Sequence, residues 1–237
     1  MASDAKALTP APRVQIKAVT FDVGGTLIEP WPSVGHVYAE VAARHGLKAF
    51  SPEQLNARFK DAWRSRERFD YTRQDWAELV DEVFGSPIAT APGGLFFAEL
   101  YERFAQPDAW HVFDDVVPTL DALASRGIRL AVISNWDERL RGLLSRLNLD
   151  RYFEALAISC EVGFPKPSRA IFQQAAADLD LRAGAILHVG DSFELDVEGA
   201  KAAGFHALQI HRTTRTAPNK DLHSLAELPA RIDELQS

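Results

Sequence analysis

Six polar residues, far apart in the chain, stand where apolar runs end or in the loops that follow them. Asp22 follows the run 16–21, and Ser134-Asn135 follow 128–133. Gly190-Asp191 follow 185–189 with Asp196 five residues on, and Lys166 lies in the loop 163–167. If the runs are strands of an open parallel sheet, these groups meet at one edge, because ligands bind beyond the carboxyl ends of such strands. Carboxylates, a hydroxyl and an ammonium gathered in one place suit phosphoryl transfer. A carboxylate can attack phosphorus to form an aspartyl phosphate, which splits one hard displacement into two easier ones. Carboxylate and phosphate repel each other, so a hard divalent cation such as Mg²⁺, which prefers oxygen ligands, must bridge them. A lysine and a hydroxyl then neutralise and orient the remaining phosphoryl oxygens.

Each residue also has a plainer use. Asp22 before Val23-Gly24-Gly25 can form a turn. Asn135 with Glu138, and Asp191 with Glu194, have the spacing of helix caps. Lys166 between Pro165 and Pro167 can be a surface lysine. What favours chemistry is the recurrence of such groups at successive sheet-edge positions.

The elements that must position these groups alternate. Strand patterns at 16–21, 128–133, 155–158, 185–189 and 205–210 are separated by helical patterns at 115–126, 137–147, 168–179 and 193–203. Strands alternating with helices predict a parallel sheet covered on both faces. Residues 33–107 break this order. Val34, Tyr38 and Val41 recur at helical spacing, as do Leu55, Phe59 and Trp63, then Trp76, Val80 and Val83, then Phe97, Leu100 and Phe104. Pro32, Pro52, Pro87, Pro92 and Pro107 punctuate them. This predicts four amphipathic helices inserted after the first strand, their aromatic stripes packing as core. The charged stretch from Arg64 to Arg68 reads as a solvated helix face.

Composition narrows the partners. The 237 residues carry 26 Lys plus Arg against 33 Asp plus Glu, a net charge of −7, so a groove for nucleic acid is not expected. One cysteine, Cys160, makes neither an intrachain disulfide nor a Cys-rich zinc site. No apolar run approaches the roughly 18 residues that span a bilayer, so no membrane partner is expected. Residues 1–13 are small, polar and Pro-containing and read as a flexible tail without the apolar core of a secretory signal. A cytoplasmic location is the expectation.

Asp22-Val23-Gly24-Gly25-Thr26-Leu27, Val132-Ile133-Ser134-Asn135, Lys166-Pro167 and Gly190-Asp191-Ser192 with Asp196 and Gly199-Ala200 together resemble the haloacid dehalogenase superfamily. The resemblance runs over nearly the whole chain, and the insertion resembles that superfamily's helical cap. It implies a three-layer, Rossmann-like α/β core from 14–28 and 109–237, with a helical cap from 29–108. By the same resemblance, Asp22 is nucleophile and metal ligand. The carbonyl of Gly24 and the side chain of Asp191 complete a Mg²⁺ site, and Thr26 and Asp196 support it. Ser134, Asn135 and Lys166 bind the phosphoryl group of a small phosphorylated metabolite, with Ser134 and Lys166 also taking part in catalysis.

One departure matters. Phosphatases of the superfamily carry a second aspartate two residues after the nucleophile, which protonates the leaving oxygen and later activates water. Here that residue is Gly24. Losing a positioned acid/base typically costs about 10²–10⁴ in rate. Glu29 and His36 are the nearby groups that could substitute, and His188, inside a strand pattern, reads as packed. Three functions follow from the sequence: a weakened Mg²⁺-dependent phosphatase-type hydrolase, a protein of this fold that binds metal and a phosphorylated ligand or a protein partner without turnover, and a metal-free 2-haloacid dehalogenase. Asp191 argues against the last, as a poor neighbour for a halide product.

Overall fold

The run expected at 16–21 forms strand β1 (Ala18–Phe21), fully buried at the centre of a parallel sheet. The computed structural model describes residues 15–47, 50–66, 68–89, 94–212 and 221–237. The tail expected at 1–13 and Pro92 lie outside them. From β1 the chain enters a short strand β2 (Ile28–Pro30) and then four helices: α1 (Val34–Arg44), α2 (Pro52–Arg64), α3 (Arg73–Phe84) and α4 (Leu95–Arg103). It returns through β3 (Trp110–Val112), which pairs antiparallel with β2. The order α5 (Val116–Ser125), β4 (Arg129–Ser134), α6 (Arg139–Arg146), β5 (Ala155–Ile158) follows. After a single turn, α7 (Ser159–Val162), come α8 (Arg169–Asp178), β6 (Ile186–Gly190), α9 (Gly199–Ala202), β7 (His206–Gln209) and α10 (Leu228–Gln236).

Among the described residues the main sheet runs β5-β4-β1-β6-β7, all parallel. Successive side chains of a strand point to opposite faces. Val19 and Phe21 of β1, with Leu130 and Val132 of β4, therefore enter one core with Leu120, Leu123, Leu140 and Ile232. Ala18, Ala131 and Ile133 face the other way, onto Ile171, Phe172 and Ala175 of α8. Strands covered on both faces must be apolar throughout, which is why they read as continuous runs rather than alternating ones. This is the three-layer α/β core expected from the sequence.

The four helices between β2 and β3 have a hydrophobic cluster of their own, including Tyr38, Val41, Leu55, Leu79, Val83 and Leu100. Their starts are encoded locally. Ser51 and Gln54 form a capping box on α2, whose first residue is Pro52, and Thr72 and Asp75 form one on α3. No helix among the described residues is long and apolar enough to cross a membrane.

Three local expectations change. The β2–β3 ribbon was not anticipated, since three-residue strands are too short to show a period. The charged stretch after Arg64 is not a helix face: α2 ends there, and Arg66 and Arg68 turn into a loop where they pair with Glu82 and Asp70. The helix expected over 193–203 is split, a π-helical turn over Phe193–Glu198 preceding α9. Val197 N donates to Ser192 O, five residues back, at 3.3 Å, and the wide turn folds Asp196 inward.

Candidate active site

The carboxyl ends of β1, β4 and β6 lie side by side, in register from Phe21 to Val132 and to Val189. Asp22 follows β1, Ser134 is the last residue of β4, and Asp191 follows β6. Lys166 arrives from the loop before α8 and is almost wholly buried, at 4% exposure. Its Nζ donates to Asp22 Oδ1 and to Asp196 Oδ1, both at 2.6 Å. Ser134 Oγ donates to the same Asp22 oxygen at 3.1 Å. Asn135 holds the lysine's backbone from both sides, Nδ2 donating to Lys166 O at 3.0 Å and Oδ1 accepting from Lys166 N at 2.6 Å. It therefore fixes Lys166 rather than capping a helix, and α6 begins only at Arg139.

Asp196 is anchored from behind. Its Oδ2 accepts from Ser192 N at 2.9 Å, and its Oδ1 lies 3.1 Å from His188 Nε2, whose other nitrogen meets Thr20 Oγ1 at 2.9 Å. His188 is packed, as its strand position implies. Ser192, not Asp191, caps the following turn, accepting from Leu195 N. Asp191 is thereby left to the site. Gly25 makes this close approach feasible: it has φ of +74°, and a Cβ there would stand 2.5 Å from Asp191 Oδ2.

Oxygens of Asp22, Asp191 and Asp196 lie within 4.8 Å of one another. When all three carboxylates are ionised, the ammonium of Lys166 leaves two negative charges uncompensated, the charge that a divalent ion carries. Loss of water raises the Asp22 carboxyl above its ordinary value although Lys166 pulls it down. Asp191 is the most accessible of the three, yet crowding by protein and then the charges of Asp22 and Asp196 push it up to about 7. Burial works against ionising Asp196 too, but Lys166 and His188 outweigh it and hold that carboxyl below the usual range. Lys166 is held above its ordinary value because Asp196 and Asp22 together outweigh its desolvation. A tight, electron-rich set of hard oxygens with surplus negative charge fits a divalent cation.

These groups open into a cavity of about 540 Å³. Asp22, Gly24, Ser134, Asn135, Lys166, Asp191 and Asp196 line one end, so the structure brings together all but one of the expected site residues. The exception is Thr26, which is buried outside the lining with no hydrogen-bond partner for its hydroxyl among the described residues. Glu29 and His36 do not line the cavity. Glu29 lies 3.5 Å from His111, and His36 contacts Ser33 at 2.8 Å. Neither supplies the acid absent at Gly24.

The space beside Gly24 is tight on one side. A Cβ built there meets Cζ3 of Trp136 at 3.3 Å. The indole is held by its neighbours: Trp136 N donates to Ser159 Oγ at 3.0 Å, and the ring rests on Trp110 with centroids 5.2 Å apart. Tyr71, at the end of the loop after α2, lines the same cavity with φ of 60° and interacts with the Asn135 side chain. Arg139 also lines it, with its guanidinium committed to Asp137 through Nε at 2.8 Å and Nη2 at 2.5 Å, and to Tyr101 O at 2.7 Å. Sequence reasoning missed Tyr71, Trp136 and Arg139. Only Trp136, directly after Ser134-Asn135, carried a positional signal.

A family profile for haloacid dehalogenase-like hydrolases matches residues 16–204. The chain belongs to this family. It is similar to human haloacid dehalogenase-like hydrolase domain-containing protein 3, with 35% identity over 84% of each chain. Among solved structures, the haloacid dehalogenase-type phosphatase of Thermococcus onnurineus is 25% identical, with a TM-score of 0.66 over 94% of this chain and 100% of that one. The magnesium-bound hydrolase YfnB of Bacillus subtilis, 18% identical, superposes with a TM-score of 0.71 over 92% and 99% of the two chains and shows the shared fold. Membership of a haloacid dehalogenase-like family fixes the fold and the hydrolase class. It leaves the choice of chemistry to the site.

Proposed function

We propose that the protein is a Mg²⁺-dependent phosphohydrolase, cytoplasmic, that acts on a small phosphorylated metabolite through an aspartyl phosphate at Asp22. The observation that carries this reading is the grip on Asp22 Oδ1 by Ser134 and Lys166 beside the carboxylate cluster. With Oδ1 held, attack on phosphorus is assigned to Oδ2. Lys166 Nζ, with a third proton to donate, offsets charge on the phosphoryl oxygens, and Ser134 Oγ turns its single proton from Asp22 Oδ1 to one of them when substrate binds. Asn135 keeps Lys166 in place through its backbone. Asp22, Asp191 and the Gly24 carbonyl would hold Mg²⁺, which supplies charge neutralisation between carboxylate and phosphate. Asp196 holds Lys166 from behind.

Residues 29–108 serve as a cap over a core of 14–28 and 109–237, with the β2–β3 ribbon as the connection between them. Closing the cap excludes water from the phosphorylated aspartate until hydrolysis. Gly24, with Trp136 packed against it, supports a second reading in which the site binds metal and ligand without turnover. Phosphate release from acetyl phosphate, with and without Mg²⁺, separates the two. Turnover that requires Mg²⁺ and is abolished by Asp22→Asn is expected. No turnover in either condition refutes the enzyme reading.

A further inference from the structure

The cavity above Asp22 is walled on its cap side by side chains without charge. Trp63, Trp76, Phe97 and Phe104 supply apolar surface there, together with Trp110 of the ribbon and Trp136 of the core. Polar metabolites such as sugar phosphates present several hydroxyls, and each one buried without a partner costs about 1–3 kcal/mol. Beyond the phosphate end, the charged group available is Arg139, and Asp137 and the Tyr101 carbonyl already occupy its guanidinium. Tyr101 Oη donates to Glu138 at 2.8 Å, and Tyr71 is engaged with Asn135. What is left is the Trp76 Nε1–H, buried without a partner among the described residues, a single donor where a polyol or a second carboxylate needs several.

A separate observation, at the other end of the cavity, points the same way. Gly24 has no side chain and the Trp136 indole lies against it, so the site provides no group there to protonate a departing oxygen. An alkoxide leaves poorly without a proton. A phenoxide leaves far more readily, since a phenol such as that of tyrosine has a pKa of about 10.

Resting on the phosphohydrolase reading above, we infer that the substrates are aryl phosphates, phosphate monoesters of a phenol-type hydroxyl on a flat apolar body. Asp22 Oδ2 forms the bond to phosphorus as the P–O(aryl) bond breaks. The electron pair departs on the phenoxide, which takes its proton from solvent, and water then cleaves the aspartyl phosphate to release inorganic phosphate. Aromatic faces stack on the rings of the wall, at no cost in unpaired hydroxyls. The cavity, about 540 Å³, is in the range that holds a small organic ligand.

The test uses the intact protein with Mg²⁺ and two readouts. In calorimetry, naphthylmethylphosphonate is expected to bind at least about thirtyfold more tightly than methylphosphonate, from burial of the ring system. In turnover, 2-naphthyl phosphate is expected to exceed phenyl phosphate in kcat/KM by at least about fivefold, although their leaving groups are of similar acidity, because only the larger ring fills the wall. Glycerol phosphate should be the poorest substrate. Phosphonate affinities within threefold of each other, or glycerol phosphate matching the aryl esters, overturn the inference. Acetyl phosphate separates the two levels of the argument. Its turnover without any aryl preference overturns the substrate class and leaves the phosphohydrolase reading intact. Its failure, alongside tight naphthylmethylphosphonate binding, sinks that reading while upholding selection for an aryl-bearing phosphoryl ligand.

Discussion

Replacing Gly24 by aspartate supplies the acid that phosphatases of this family normally carry, and the structure indicates what that will cost. The new Cβ stands 3.3 Å from Trp136 Cζ3 before any carboxyl group is added. Carbon atoms prefer about 3.5–4.0 Å, so the indole must retreat. It has little freedom to do so, with its backbone tied to Ser159 and its ring against Trp110. Overpacking of this kind typically costs about 1–3 kcal/mol. At about 2–4 °C per kcal/mol for a chain of this size, Gly24→Asp should melt about 2–12 °C below wild type. Its gain in glycerol phosphate hydrolysis should stay under about tenfold, because the carboxylate is displaced from the leaving oxygen. Adding Trp136→Ala opens the space, and the double variant should exceed Trp136→Ala alone by about 10²-fold or more, the lower end of a general acid's contribution. Acetyl phosphate, whose leaving group needs no proton, should show no such gain. The assay is a double-mutant cycle in kcat/KM on both substrates, with melting curves for all four proteins. A full gain from Gly24→Asp alone, at an unchanged melting temperature, would show that Trp136 does not obstruct the position. No gain in the double variant would refute the assignment of Gly24 to the missing acid.

Lys166→Met removes the cation from between Asp22 and Asp196 and should destabilise the fold by about 3–5 kcal/mol, the usual effect of breaking a buried ion pair. Denaturant titration showing a loss under 1 kcal/mol contradicts that account. Asp191 has its folded value pushed up to about 7, so its favourable contribution is present below the unfolded carboxyl value and is lost as pH rises through about 7. Without metal, Asp191→Asn should therefore raise the melting temperature at pH 8 by about 2–4 °C and change it little at pH 5. A lower melting temperature at pH 8 goes against the repulsion argued for the cluster. Crystal structures without and with a bound phosphate analogue should differ in the orientation of 29–108 relative to the core. An identical orientation argues against closure.

The core was legible because both-face burial leaves a strong mark. Runs such as 128–133 and 185–189 have no polar residue that a single exposed face would demand, apart from Arg129 at an edge and His188, which is satisfied internally. The residues at the strand ends followed from topology alone, since a parallel sheet brings Asp22, Ser134 and Asp191 to one edge whatever lies between. The cavity wall was less legible. The aromatic stripes of α2, α3 and α4 signal burial, but a side chain facing a neighbour and one facing a cavity have the same period. Trp63 and Phe97 therefore read as core. Tyr71 lay hidden for another reason: its approach to Asn135 depends on a backbone turn with positive φ, which tyrosine rarely adopts and no local pattern announces. The π-helical turn that folds Asp196 inward is equally silent, because a helix widened by one residue keeps the composition of an ordinary one.

The central claim is that Asp22 is phosphorylated during turnover. Brief exposure to radiolabelled acetyl phosphate with Mg²⁺, acid quenching and peptide mapping test it most directly. The label is expected on the peptide containing Asp22, stable in acid and released by hydroxylamine as an acyl phosphate must be, and it should be absent from Asp22→Asn. Label on another residue, or phosphate release that persists in Asp22→Asn, contradicts the account.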